Sequence, residues 1–148
     1  MLNGQQLAFE LLKPHASAFG ADLRPELKVV SILRLPLITF RLRLGSAVND
    51  GGMDSPIAWG ATLDISWFGE DEQAVFDMAA AGYDFLHEWN NPFRGASAIA
   101  PGVGHVSQLT DRSAPDLAGV ADIKGHTTVQ YAGGFDLIAH EARPDPTD

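Results

Sequence analysis

Between Gly60 and Trp89 the hydrophobic pattern changes period, and that change dictates a strand followed at once by a helix. Ala61, Leu63, Ile65 and Trp67 alternate with Thr62, Asp64, Ser66 and Phe68, which gives a strand one fully apolar face. After Gly69, the carboxylates Glu70, Asp71 and Glu72 stand where the unpaired N–H groups and positive dipole end of a helix's first turn favour them. Val75, Met78, Ala79, Gly82, Phe85, Leu86 and Trp89 then recur at three- and four-residue steps, with Asp77, Asp84 and Glu88 largely on the other side. Pro92 disfavours helical backbone in the residue before it, so the helix is expected to end at Asn90-Asn91-Pro92. A greasy strand face and a greasy helix stripe joined by a short turn should pack on each other, and the remaining chain must cover what they leave exposed.

That remainder also reads in pieces. Leu7, Ala8, Leu11 and Leu12 have helical spacing, and Pro14 should end or kink the segment, which gives a short N-terminal helix. Residues 27–33 and 37–44 are strand-like runs separated by Arg34-Leu35-Pro36, a likeness to a hairpin; in the second, Ile38, Phe40, Leu42 and Leu44 share the core face while Thr39, Arg41 and Arg43 point out. Residues 45–59, 90–102 and 110–124 read as long loops, on their Gly, Pro, Asn, Asp and Ser content. Residues 103–109 could form a strand. Val129, Tyr131, Gly133, Phe135 and Leu137 keep one phase across Gly133-Gly134, so a single long last strand is expected rather than a hairpin, before a polar tail at 143–148. The expected fold is α+β: a mostly antiparallel sheet of four to five strands with a long helix packed on one face and a short N-terminal helix, all in one domain spanning 1–148.

Composition narrows the function. The 148 residues contain no cysteine, which excludes disulfides and thiolate chemistry. No run of about 18 apolar residues is present to span a bilayer, and Met1-Leu2-Asn3-Gly4 lacks the basic start of a secretory signal. A net charge of -9 argues against sequence-specific nucleic-acid binding through a broad basic face. Residues 1–50 nevertheless hold six basic side chains against four acidic ones, leaving four basic and fifteen acidic for the rest. Such bipolarity either reflects a soluble surface or orients one copy against the next.

The expected enzyme chemistry is none. Gly102-Val103-Gly104 lacks the third glycine of a phosphate-cradling loop, and no Gly-x-Ser-x-Gly elbow occurs. His105, His126 and His140 form the best cluster that neighbouring strands can bring together as metal ligands or bases; isolated histidines at strand ends are more often surface contacts. No tightly bound metal or cofactor is expected. Trp67 and Trp89 fall on core faces, whereas Trp59 has no evident role.

The order of pieces resembles the tail terminator proteins of long-tailed bacteriophages. The likeness rests on a short N-terminal helix, a hairpin carrying Val29-Val30 and Ile38-Thr39-Phe40, a strand ending in Asp64-Ile65-Ser66-Trp67-Phe68-Gly69, the helix from Asp71 to Trp89, the run Val103 to Leu109, Pro115-Asp116, and a long last strand. It implies a structural virion protein, assembled in the host cytoplasm, that forms a hexameric ring on the head-proximal end of the tail. Such a ring stops tube polymerisation and meets the tail tube protein on one side and the head–tail connector or stopper on the other, with a lumen open to DNA. A basic strand bearing Arg41 and Arg43 meeting an acidic helix face bearing Asp77, Asp84 and Glu88 is the expected subunit interface. The alternative is a small α+β enzyme or ligand-binding domain using the region of His105, His126 and His140.

Overall fold

The structure, a computed structural model, describes residues 1–26, 34–48, 58–90, 98–123 and 125–142. The chain runs α1 (Gly4–Ala18), β1 (Asp22–Pro25), β2 (Leu37–Val48), β3 (Ala58–Gly69), α2 (Glu72–His87), a 3-10 turn (Glu88–Asn90), β4 (Ile99–Ala100), β5 (Gly104–Ile123) and β6 (His126–Glu141). The strands form one sheet in the order β1-β2-β3-β6-β5-β4. It is curled like a half-barrel. All pairings are antiparallel except β1 with β2.

The strand–turn–helix unit at the centre has a direct cause in its sequence. β3 alternates buried and half-buried along its length, and the Asp71 side chain caps α2 by accepting from the Ala74 N–H at 3.0 Å. Cross-strand register puts Ile38 beside Trp67, Phe40 beside Ile65 and Leu42 beside Leu63 on the face the helices cover. On β6, Tyr131, Phe135 and Leu137 continue that face opposite Trp67, Leu63 and Ala61. Helix α1 meets it through Leu7, Leu11 and Leu12 and a Phe9–Phe40 ring contact; α2 meets it through Val75, Met78, Ala79 and Leu86. Trp59 is buried there too, opposite Ala139. Phe85 is only partly buried and packs against the cluster from its edge.

This architecture corrects the expected one. Six strands are present rather than four to five, and two helices of 15 and 16 residues share one sheet face instead of one long helix and one short. Helix α1 runs through Pro14 to Ala18. The proline ring removes one helical hydrogen bond, but His15 and Ala16 beyond it are buried against the core, and that packing holds the last turn. The stretch 110–124, expected as a loop, forms most of β5 up to Ile123. Its 20 residues pair with the 16 of β6 because four single-residue bulges interrupt the register, between Val106/Gln108, Asp111/Ser113, Ser113/Asp116 and Leu117/Gly119. Each bulge adds local twist. Pro115 is tolerated because, among the described residues, β4 pairs only with Gly104 and His105, so the outer side of β5 at Pro115 needs no ladder donor.

Of the other two expected loops, residues 45–48 belong to β2 and 58–59 to β3, while 98–102 include β4; positions 49–57 and 91–97 lie outside the described residues, as do the first hairpin strand at 27–33 and the tail at 143–148. The last strand does run unbroken through Gly133 and Gly134. A Cβ on Gly133 would come within 3.2 Å of Pro115, and one on Gly134 would run into the Arg112 guanidinium. The two glycines therefore leave room for bulged β5 to lie close over β6.

Two amide side chains finish the sheet edges. Asn90 brackets Leu109, donating from Nδ2 to its carbonyl and accepting its N–H on Oδ1, each at 2.7 Å. Gln5 Oε1 accepts the Leu42 N–H at 3.4 Å. Both occupy backbone groups that would otherwise be open to strand addition.

Candidate interaction surface

The sheet face opposite the helices is polar and charged. Arg112, carried across the sheet by the β5 bulges, pairs with Asp64 and lies 3.7 Å from Asp136. Arg43 Nη2 is 3.6 Å from the other oxygen of Asp64, and Gln130 donates to Ser66 at 3.1 Å. Arg41, directly across from Asp64 in the register, is exposed and makes no ion pair among the described residues. Arg41 and Arg43 thus do not act as an equivalent pair: one is engaged within the chain and the other is not. On α2, Asp77 and Asp84 are exposed, Asp77 accepting from Gln73 at 3.0 Å, while Glu88 is half-buried in the 3-10 turn.

The three histidines named from sequence are not brought together. His105 and His140 are cross-strand partners whose rings stack 4.4 Å apart and almost parallel, with His140 Nε2 2.8 Å from Ser107 Oγ. Burial, reinforced by the neighbouring His140, lowers the pKa of His105. His126 pairs with Ile123 at the opposite end of β6, on the order of 40 Å away along an extended strand. Among the described residues no group of three or more His, Asp or Glu side chains is placed to hold a metal ion.

A polar cluster that the sequence did not announce joins α2 to β5. Tyr83 donates to Asp111, and His87 Nε2 lies 2.7 Å from the other carboxylate oxygen, with the Tyr83 and His87 rings 4.4 Å apart. The hydrogen bond from Tyr83 holds the Asp111 carboxyl below its usual range, with His87 adding to it, and the same bond raises the phenol pKa. Tyr83 and His87 are four apart on one helix flank, which sequence could have suggested; Asp111 was hidden in the misread loop. Asp111→Asn should move one of the two tyrosine ionisations to lower pH in an ultraviolet titration. Both titrations unchanged would show that Tyr83 does not use Asp111.

An exposed apolar feature among the described residues lies at the end of the β5–β6 ribbon. Pairing of β6 with β3 stops at Gly69–Val129, yet the ribbon continues through Ala121–Thr128, Asp122–Thr127 and Ile123–His126. At its base, Leu117 faces Tyr131 and Val120 faces Val129, so both lie on the helix side of the sheet. They are 44% and 59% exposed, and Phe76 of α2, 49% exposed, meets the Tyr131 ring edge-on at 6.0 Å. Burial, with the negative charges of Glu72 and Asp116, raises the Tyr131 pKa. The apolar patch therefore has an acidic rim. No helix among the described residues is long and apolar enough to cross a membrane. A scan against protein-family models and a search of curated proteins each found no match to this chain.

Proposed function

We propose that this chain is a structural ring subunit of the tail-terminator kind. Six copies would close on the head-proximal end of a phage tail tube, stop its polymerisation and offer the head connector a surface to join. The observation that carries the reading is the ribbon end. Three cross-strand pairs run beyond the last rung with β3 and have no third strand among the described residues, and at their base Leu117 and Val120 are exposed on the helix side. Isolated two-stranded ribbons are marginal in water, and clustered apolar side chains with a polar rim mark protein contact sites. The element order supports the same reading: an N-terminal helix, then strands, a helix after Gly69, and a long last strand follow the terminator resemblance in sequence.

The test is tube growth. Added to polymerising tail tube protein of the same phage, the chain should bind one end only and hold the tubes at finite length, as seen by negative-stain electron microscopy. Tubes that elongate equally with and without it would overturn the terminator reading.

The rival enzyme or ligand-binding reading has lost its three-histidine site and is left with Tyr83–Asp111–His87, beside a groove of about 230 Å³ lined by Phe76, Ala80, Ala114 and Tyr131. That cluster bridges two elements, with both Asp111 oxygens engaged by Tyr83 and His87 Nε2. A clasp of α2 onto β5 accounts for it.

A further inference from the structure

We propose that the exposed ridge of α2 in one copy lies along the uncovered face of the sheet in the next copy, with Asp84 against Arg41 and Phe76 against Phe68. The inference rests on the ring reading above and names the contact that joins its copies head-to-tail.

Both helices pack on one face of the sheet. On the other, Thr62, Asp64, Ser66 and Phe68 of the central strand β3 are half-buried, so no second layer covers them among the described residues. An antiparallel sheet tolerates one wet face, and it is charge that marks this one as a contact surface. Arg112 stands between Asp64 and Asp136, and Arg43 takes the other oxygen of Asp64 at 3.6 Å. The third arginine, Arg41, is exposed directly across from Asp64 and has no ion pair among the described residues. On the neighbouring β1, Arg24 is already neutralised by Asp22 at 2.7 Å. The β2 side of the face therefore carries surplus positive charge in a chain of net charge -9.

Helix α2 supplies the opposite sign. From Glu72 to Asn90 the chain holds four carboxylates and no lysine or arginine. Phe76, Ala80 and Asp84 recur every fourth residue and so form one ridge, with Asp77 beside it, and all four are exposed. Asp84 makes no ion pair among the described residues, and the small Ala80 between the two larger side chains allows close approach. The spacings agree: Phe76 and Asp84 stand about 12 Å apart along the helix, and Phe68 lies about 13 Å from Asp64, hence from the Arg41 rung, along β3. Laid lengthwise on β2 and β3, the ridge brings an aromatic pair together at one end and an ion pair at the other, which is the apolar contact with a charged margin that a specific interface needs. Ridge and arginine face lie on opposite sides of the sheet, so a chain cannot bring its own pair together and the association is heterologous. Phosphate is the other partner that arginines attract, but Asp64 and Asp136 set among them and the net charge of the chain both disfavour a polyanion.

Charge exchange tests the contact. Arg41→Glu and Asp84→Lys each place like charges against each other, and neither removes an ion pair within the described residues. Each variant should keep the parent's melting temperature yet self-associate about tenfold more weakly, or worse, by light scattering at low salt. The double variant Arg41→Glu/Asp84→Lys should recover the parent's mass. So should a 1:1 mixture of the two single variants, because alternation puts native ridge on native face at one contact and the two reversed charges together at the next. Single variants that associate like the parent, a mixture that fails to recover, or a parent that is itself monomeric under these conditions would overturn the contact. Retention of duplex DNA that Arg41→Glu abolishes while self-association is unchanged would give the face to nucleic acid and overturn it as well. Recovery by charge exchange in a protein that leaves tube length unaffected keeps this contact and removes the terminator reading; tubes capped as well by Arg41→Glu as by the parent do the reverse.

Discussion

Trp67→Ala should unfold the protein about 10 °C below the parent, the largest effect expected from any single truncation here. Trp67 is fully buried on β3 at the point where both helices meet the sheet. Its indole N–H donates to His15 Nε2 of α1 at 3.0 Å, and a Cβ on Gly82 of α2 would come within 2.7 Å of both its ring and His15 Nε2. Truncation removes the ring contacts of three elements at once and orphans a buried acceptor. Losing a buried aromatic side chain costs about 3–5 kcal/mol, with the cavity adding to the transfer term. Trp67→Phe, which keeps most of the apolar volume but loses the N–H, should fall between the two. A Trp67→Ala protein melting within about 2 °C of the parent would mean that the helices do not converge on this residue.

Acid should weaken the same node. His15 is 4% exposed among Phe19, Trp67 and Phe85, and burial lowers its pKa from 6.5 to about 4. Because Nε2 accepts from Trp67, the neutral ring carries its proton on Nδ1, and a second proton would set two N–H donors against each other. The unfolded chain takes up that proton near pH 6.5 and the folded one only near pH 4, so between those values the unfolded state binds more protons. Stability is therefore full above pH 6.5 and is lost as pH falls toward 4, by about 3 kcal/mol for this group. His105, whose pKa is also lowered, acts in the same direction. Denaturant unfolding at a series of pH values should show this slope in the parent. It should be reduced in His15→Gln, whose amide oxygen can accept from the indole without titrating. Parallel curves for the two proteins would show that His15 is not held neutral.

The strand and helix around Gly69 were legible in the sequence because both patterns are local: alternation over Ala61 to Trp67 and a three-to-four repeat over Val75 to Trp89 require no knowledge of partners. The same holds for β6, where one phase persists through Gly133-Gly134. Burial of the N-terminal helix residues Leu7, Leu11 and Leu12 followed from spacing too. Beyond such local periodicity, tertiary structure decided. The start of β5 was legible at 103–109, but its continuation past Leu109 was not, because the bulges shift the inward-facing phase by one residue each, so no single alternation survives from Gly104 to Ile123, and Asp, Pro, Ser and Gly there imitate a loop. With β5 went Asp111 and Arg112, and with them the clasp on Tyr83 and His87 and the engagement of Arg43's partner Asp64. Pro14 misled for the opposite reason: a local rule ended the helix, and burial of His15 under Trp67 carried it on. Pattern fixes which face of a regular element is apolar, but whether a stretch is regular at all depends here on the strand it lies against.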